Sequence, residues 1–164
     1  MNRLVEQRQD DGGWNCERAN GSMRSSFATT INVLEGLLEF ERATGGTLES
    51  QAVRRSGEEY LLKRNLFLRL TTGEPADNGF LNFSHSNRWR YKVLRALDYF
   101  RVASLLTGSE RNLRLGPAID QLRSRRLQVG TWPLDQSLPG WVWFDINDGQ
   151  DKPSKWITLK AMRC

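Results

Sequence analysis

One short helical pattern occurs three times in this 164-residue chain and constrains its fold more than any other feature. The copies begin at Thr30, Arg90 and Lys155, which are 60 and 65 residues apart. Each copy contains a β-branched residue followed by Leu, a charged residue, a small residue and then Leu or Met. Self-similarity at this period is typical of repeat architectures, in which each unit buries its apolar face on the next. The sequence therefore predicts stacked helical units.

Apolar periodicity and capping signals predict five helices within a single all-α domain over residues 1–164. Their predicted ranges are 27–43, 48–68, 88–106, 117–127 and 154–164. The first is apolar around much of its girth, the third and fifth are also predicted to be apolar, and the second and fourth each carry a charged face. Inner helices are thus expected to alternate with outer ones, with long loops between them. Short strands are predicted at 132–134 and 141–144.

Composition indicates a globular chain rather than a membrane-spanning or disulfide-rich one. The hydrophobic fraction is only 38%, but six Trp and seven Phe require burial. No segment approaches the roughly 20 apolar residues of a membrane span, and residues 1–10 lack the apolar segment of a secretory signal. Two cysteines, Cys16 and Cys164, are too few for a disulfide scaffold. We therefore expect a cytoplasmic protein.

The net charge of +5 raises the question of an anionic partner such as nucleic acid, a diphosphate or a membrane surface. The basic residues are interleaved with acidic ones along the predicted helices. The densest group, Arg123, Arg125 and Arg126, falls late in a helix, where cations interact favourably with the helix dipole. This distribution fits a solvated face better than a nucleic-acid groove, so we expect no nucleic-acid partner.

Glycine-aromatic turns precede each inner helix. They are Gly12-Gly13-Trp14, Gly79-Phe80 and Gly130-Thr131-Trp132. Glycine permits a sharp turn, and the aromatic ring can then cover the end of a neighbouring helix. A contact with a ligand is the alternative role for these rings.

The helix alternation and the turns together resemble the α/α toroid repeats of squalene cyclases and protein prenyltransferases. The segments that carry the resemblance are 11–16, 25–37, 88–100 and 153–162. Trp14 and Trp132 look like the end of the QW motif of squalene cyclases, and Gln9 fits the spacing before Trp14. The resemblance implies a partial toroid of antiparallel inner and outer helices with about two and a half helix pairs, fewer than a closed ring needs. Such a shortened member would either cover its bare ends by homo-oligomerisation or be a fragment of a longer ancestral protein.

The residues that perform chemistry in this family are replaced here. Class II terpene cyclases use an Asp-x-Asp-Asp acid, and the nearest string is Asp145-Ile-Asn-Asp148. Protein prenyltransferases hold zinc through an Asp-x-Cys pair and a distant His, but Cys16 follows Trp and Asn. Ala28, Arg90 and Lys92 stand where the resemblance implies His, His and Asp. These departures argue against enzymatic activity, and we expect neither a metal nor a cofactor.

The loop before the last helix combines Trp141, Trp143 and Phe144 with Asp145 and Asp148. Aromatic faces stabilise carbocations. A carboxylic acid among aromatic rings has a raised pKa and can donate a proton. The alternative is a loop whose rings cover the core while both carboxylates face water around a turn.

Further candidate residues lie at the predicted starts of two inner helices. Arg88, Trp89, Arg90 and Tyr91 open the third predicted helix, where two arginines could bind a diphosphate or carboxylate. They could equally pair with acidic residues of the preceding loop. Trp156 opens the fifth helix and joins the candidate ligand-binding set.

His85 is the only histidine. Its place in a loop would suit acid-base chemistry or metal binding. A metal needs three or four convergent ligands, however, and the sequence offers no such set around this residue. A polar loop histidine is the simpler interpretation.

Three functions remain open. The first is a non-catalytic binding module whose concave aromatic face, lined by Trp89, Tyr91, Trp143 and Phe144, holds an apolar or isoprenoid-like ligand. The second is a terpene cyclase-like or prenyl-transfer enzyme that uses an acid of the 145–148 string. The third is a protein- or peptide-interaction module, a common use of concave surfaces in helical repeats.

Overall fold

The computed structural model describes residues 2–85, 87–110, 112–137, 140, 143–144 and 146–164. Its α-helices are Asn2–Glu6 (α1), Phe27–Thr44 (α2), Leu48–Leu62 (α3), Val93–Thr107 (α4), Gly116–Ser124 (α5) and Lys155–Arg163 (α6). Short 3-10 turns lie at Cys16–Asn20, Asn78–Leu81 and Leu113–Leu115. Among these residues β-pairing is confined to isolated bridges, so the predicted all-α class is confirmed.

The chain divides into two compact units, Met1–Arg64 (unit 1) and Asn65–Cys164 (unit 2). Unit 1 holds α1, α2 and α3, and unit 2 holds α4, α5 and α6. The single domain expected over residues 1–164 stays a prediction.

In unit 1, α2 and α3 form a helical hairpin whose ends are set by local signals. The Ser26 hydroxyl caps α2 by accepting from the Thr29 amide, and Gly45 ends that helix in the left-handed conformation at φ 81°. Thr47 and Ser50 form a reciprocal capping box at the start of α3. The predicted range 27–43 for the first inner helix therefore agrees with α2 to within one residue.

The two helices of this hairpin approach closely at Gly57 of α3. A Cβ atom on Gly57 would lie 2.6 Å from Cζ3 of Trp14 and 3.0 Å from Cδ2 of Leu34. Both of these apolar side chains are buried. The absence of a side chain at Gly57 thus lets α3 rest on the Trp14 ring and on the core face of α2.

A buried charge cluster also joins α2 to α3. Arg54 is only 4% exposed, and its Nε donates to Oε2 of Glu41 on α2 at 2.8 Å. Its guanidinium also pairs with Glu58 one turn further along α3. The charge pattern predicts that the Arg and Glu residues of this helix lie on a solvated outer face. For Arg54 that prediction is wrong, because two carboxylates compensate the charge inside the unit.

In unit 2, α4 contacts both α5 and α6. Helix α4 buries mainly apolar side chains, among them Leu94, Leu97 and Phe100. Ile119 and Leu122 of α5 are buried, as are Ile157 and Ala161 of α6. The short helix α6 is capped by Ser154, whose hydroxyl accepts from the Ile157 amide at 3.3 Å.

Several predicted boundaries are wrong. Helix α3 ends at Leu62 rather than at residue 68, because Asn65 and Leu66 adopt positive φ angles of 46° and 67° that cannot continue a helix. Helix α4 begins at Val93 rather than at residue 88, and Arg88 itself has φ 49°.

The later part of the chain also departs from the predicted ranges. Helix α5 ends at Ser124, three residues before the predicted end at 127. The strand predicted at 132–134 is reduced to one bridge between Pro133 and Pro153. In the strand predicted at 141–144, residues 141 and 142 lie outside the described residues, and Trp143 and Phe144 form a bend.

A Gly-x-Trp turn fixes the start of α2 in unit 1. Gly12 has φ 98°, and the chain then places Trp14 against both neighbouring helices. The indole Nε1 of Trp14 donates to the Leu4 carbonyl of α1 at 2.7 Å. The Trp14 amide donates to the Thr30 hydroxyl at 3.1 Å, and the Ser26 amide donates to the Trp14 carbonyl at 2.9 Å.

The same bonds recur in unit 2. Gly130 has φ 84°, and the indole Nε1 of Trp132 donates to the Leu122 carbonyl of α5 at 2.7 Å. The Trp132 amide donates to the Thr158 hydroxyl at 3.0 Å, and the Ser154 amide donates to the Trp132 carbonyl at 2.8 Å. The module of helix end, turn and capped helix is therefore repeated, with Ser154 matching Ser26.

The Gly57 contact predicts opposite effects for two glycine substitutions. Gly57→Ala is expected to lower the free energy of unfolding by about 1–2 kcal/mol, because overpacking costs more than the roughly 1 kcal/mol that Ala gains in helix propensity. Gly36→Ala on α2 has no heavy atom within 4 Å of the new Cβ and is expected to stabilise the protein by about 0.5–1 kcal/mol. Urea denaturation measures both. Equal effects would contradict the close approach.

The Trp14 amide predicts a specific role for the Thr30 hydroxyl. Thr30→Val keeps the shape but leaves the buried amide without its acceptor, and it is expected to cost about 1–3 kcal/mol of unfolding free energy. Thr107→Val, at an exposed position of α4, is the control and is expected to stay within about 0.5 kcal/mol of wild type. A Thr30→Val variant as stable as this control would refute the role.

Candidate functional site

An apolar groove of about 470 Å³ runs along α6 in unit 2. We call it the α6 groove. It is lined by Thr131, Ile146, Asn147, Asp148, Pro153, Ser154, Lys155, Thr158, Leu159 and Met162. Leu159 and Met162 are 51% and 71% exposed. Two large apolar side chains are thus exposed within one turn of the same helix, which makes the groove a candidate interaction surface.

Two of the three hydroxyl groups that line the groove, those of Ser154 and Thr158, are engaged in holding its backbone, whereas the buried Thr131 hydroxyl has no hydrogen-bond partner among the described residues. Ser154 Oγ donates to Oδ1 of Asn147 at 2.6 Å and also accepts from the Ile157 amide. Thr158 Oγ1 accepts from the Trp132 amide. These side chains therefore shape the groove, and its free surface is supplied chiefly by Leu159 and the neighbouring apolar residues.

His85 and Trp156 form a stacked pair beside the start of α6. Their ring centroids are 5.5 Å apart and their planes differ by 9°. The indole Nε1 of Trp156 donates to the Ile146 carbonyl at 3.0 Å, which ties the 146–148 segment to α6. Burial lowers the pKa of His85 below its usual 6.5, and the positive charge of Lys160 lowers it further. At neutral pH His85 is thus an uncharged ring that supports Trp156.

Lys92 is a buried cation at the N-terminal cap position of α4. It is 4% exposed, and its Nζ donates to the Gly79 carbonyl at 2.6 Å. Burial lowers the pKa of Lys92, Arg90 adds to that effect, and the carboxylates of Asp77 and Asp135 oppose it. The bond to Gly79 joins the 3-10 turn Asn78–Leu81 to the start of α4, so Lys92 has a structural role.

The predicted Arg88–Tyr91 cluster does not open a helix. Arg88 and Trp89 lie in a turn and α4 begins only at Val93, so the predicted helix start at Arg88 is wrong. The ligand-binding role of these residues stays a prediction. Tyr91 is 3% exposed and its hydroxyl donates to the Leu66 carbonyl at 2.6 Å, which makes its ring part of the core. Trp89 is 66% exposed, and the Arg90 guanidinium lies 5.7 Å from its ring centroid.

The predicted aromatic loop is only partly described. Trp141 and Asp145 lie outside the described residues. Trp143 and Phe144 are 84% and 73% exposed. Asp148 is exposed at the groove. Of the predicted site residues, the structure therefore brings Asp148 to the α6 groove and Trp156 to its supporting stack, and it places Arg88–Tyr91 elsewhere.

Sequence reasoning missed Ile146, Leu159 and Met162 as surface residues. Leu159 and Met162 sit in the third copy of the helical pattern, which predicts a core face. Their spacing of three residues does place them on one side of a helix. Periodicity alone, however, carries no information on whether another element covers that side.

Among the residues that the structure describes, no group of three or more His, Cys, Asp or Glu side chains is arranged to hold a metal ion. Nor does any helix of this described part have the length and apolar character needed to cross a bilayer.

Comparison with protein-family models, curated proteins and solved structures gives no match to this chain. The resemblance to squalene cyclases and protein prenyltransferases thus stays a prediction.

The stacked position of His85 predicts a measurable pH effect. Because its folded pKa is lower than its unfolded pKa, the unfolded chain binds more protons in the window between the two values. The free energy of unfolding should therefore fall as pH drops from 7 through that window. Chemical denaturation at a series of pH values measures this, and His85→Gln should flatten the dependence.

Proton NMR tests the cause directly, because the chain has one histidine. The His85 ring is expected to titrate below pH 6.5, and Lys160→Gln should raise its pKa towards that value. A wild-type pKa at or above 6.5 would contradict the placement of His85 in the stack.

Proposed function

We propose that this protein is a non-catalytic binding module of the α/α-toroid type, and that the α6 groove is its binding surface for an apolar partner. The observation that carries the proposal is the exposure of Leu159 and Met162 around a groove of about 470 Å³. That volume lies in the range of about 300–1,000 Å³ found for ligand sites. Because 51% of Leu159 and 71% of Met162 remain exposed, covering either side chain would contribute about 1–2 kcal/mol.

The toroid part of the proposal is supported by the repeated module. The same indole, amide and hydroxyl bonds occur around Trp14 and around Trp132, as expected of units derived from one repeat. Helix alternation supports it over the stretch from α2 to α5, since α2 and α4 are more apolar than α3 and α5, whereas α6 is no more apolar than α5. Closure of such repeats into an arc or a ring, and self-association through their ends, remain parts of the proposal.

An isoprenoid-like small molecule is the second candidate for the ligand. The apolar side chains of Ile146, Leu159 and Met162 in the groove lining favour it, since sites for such molecules are mostly apolar with a small number of polar groups. Native mass spectrometry of the protein purified from a cell extract would identify a retained molecule of this class. The same spectrum reads the oligomeric state, where the expected result is a homo-oligomer.

A cyclase-like enzyme is the third candidate, and Asp148 is the residue that favours it because it lines the groove. Its carboxylate is exposed to solvent, whereas carbocation chemistry needs a site from which water is excluded. On the binding proposal, Asp148→Asn leaves the affinity for an apolar ligand unchanged. Turnover that disappears in Asp148→Asn would support the enzyme instead.

The binding proposal predicts the effect of charges placed in the groove. Leu159→Asp or Met162→Asp should weaken binding of an apolar dye such as Nile red by about tenfold or more, because a carboxylate replaces the apolar contact. Leu105→Asp is the matched control, since Leu105 is 72% exposed on α4 and outside the groove lining. Fluorescence titration measures all three. Dye affinity that falls equally in the control, or in none of the variants, would reject the groove as the binding surface.

A further inference from the structure

The repeated module gives each residue of α6 a counterpart in α2. Ser26 and Ser154 cap the two helices, and Thr30 and Thr158, four residues after each cap, accept the matching Trp amide. Leu159 of α6 therefore takes the position that Ile31 has in α2. By the same register, Met162 takes the position of Leu34.

These matched positions differ sharply in exposure. Ile31 and Leu34 are both 0% exposed, whereas Leu159 and Met162 are 51% and 71% exposed. The two helices thus present the same apolar positions, but only α2 has them covered.

In unit 1, α3 covers Leu34 and the start of α2. Gly57 lies against Trp14 and Leu34, and the Tyr60 ring makes an edge contact with Phe27 at 5.6 Å. The Tyr60 hydroxyl donates to the Ser25 carbonyl at 2.8 Å. The face that is exposed on α6 therefore corresponds to the face of α2 on which α3 packs.

Arg8 and Arg126 lie at matching positions before the two Gly-x-Trp turns, and only Arg8 bonds to a covering helix. Arg8 donates to the Ser56 hydroxyl of α3 at 2.7 Å. Its counterpart Arg126 instead donates to the Gly130 carbonyl and stands over the Trp132 ring, with its guanidinium carbon 5.4 Å from the ring centroid. Arg126 is exposed there and can move aside for an arriving helix.

We infer that the α6 groove is a docking site for an amphipathic helix built like α3 and supplied by a protein partner. At the point where it crosses Trp132 and Met162, the docking helix has a small residue, which corresponds to Gly57 in unit 1. Its apolar side chains face Leu159. The inference rests on the proposed binding function and names its partner class. The longer connection before α6 adds a second wall, because 21 residues separate Trp132 from Ser154 and Ile146 among them lines the groove.

Charge further specifies the partner. Helix α6 carries Lys155, Lys160 and Arg163 and has no acidic residue. A docking helix with acidic side chains beside its apolar stripe would therefore be favoured electrostatically. Among the described residues that line the groove, Asp148 is the one acidic residue.

The probe for this inference is a synthetic peptide of the chain's own α3, residues 47–62, with a fluorescent label. Fluorescence anisotropy against the full chain is expected to show saturable binding. Leu159→Asp and Met162→Asp in the protein should each weaken it at least tenfold, and Leu105→Asp should leave it unchanged. Gly57→Leu in the peptide should also weaken it at least tenfold, because the new side chain would block the close approach.

A second peptide tests the charge. Arg55 is exposed in unit 1, so Arg55→Glu in the peptide adds an acidic residue outside the contact stripe. It is expected to bind several-fold more tightly than the unmodified peptide at low salt, and the gain should shrink as salt screens the charges. Weaker binding of this peptide would overturn the preference for an acidic partner.

Fusion of the same helix after Cys164 through a flexible Gly/Ser linker removes the limit set by the low helicity of short peptides. Hydrogen exchange of the α6 amides is expected to slow at least tenfold in this fusion, and Met162→Asp should abolish the protection. No binding of the free peptide together with no protection in the fusion would overturn the inference. Peptide binding that persists in both groove variants would also overturn it. The peptide would then be replacing the chain's own α3 on α2, and that replacement would explain the signal.

The dye and peptide experiments separate the two levels of the proposal. Dye binding that depends on Leu159 without peptide binding would leave the binding function standing and reject the helical partner. Failure of both would reject both.

Discussion

The backbone amide of Trp14 is buried and needs a hydrogen-bond acceptor. The arrangement of unit 1 depends on the position of that acceptor. The acceptor is the hydroxyl of Thr30, one turn inside α2, so the turn that carries Trp14 is fixed against the start of that helix. The indole of the same residue donates to the Leu4 carbonyl and ties the turn to α1 as well. A buried donor without a partner costs about 1–3 kcal/mol, which makes this geometry much more restrictive than apolar contact alone.

The same constraint explains why α3 lies where it does. Once Trp14 is held over α2, its ring becomes part of the surface on which the next helix must pack. Only a residue without a side chain fits at the crossing, and Gly57 is that residue. Arg54 then reaches Glu41 across the same interface, where the pair is buried and its charges are compensated. Packing and charge therefore select one register of α3 on α2.

The sequence was sufficient for elements whose limits are set by local chemistry, and α2 is the clearest case because Ser26 and Gly45 signal both of its ends. It was insufficient where contacts between residues far apart in the sequence determine the backbone conformation. Leu66 is fully buried with a positive φ, which no local pattern predicts for a leucine, so the end of α3 was misplaced. The third helical repeat was aligned three residues out of register, with Lys155 rather than Thr158 matched to Thr30. Three residues are close to one helical turn, so apolar periodicity hardly distinguishes the two alignments.

The corrected register also changes what the apolar pattern of α6 means. An inner-helix pattern predicts burial, but it specifies only the face that must be covered and not the element that covers it. In α2 the chain itself provides that element. In α6 the side chains at the same positions line an open groove, and Arg126 rests on the Trp132 ring at a position whose counterpart in unit 1 binds α3. Ile31 and Leu34 are fully buried in α2, whereas Leu159 and Met162 at the matching positions of α6 stay exposed, and this difference is the physical basis of the proposed docking surface.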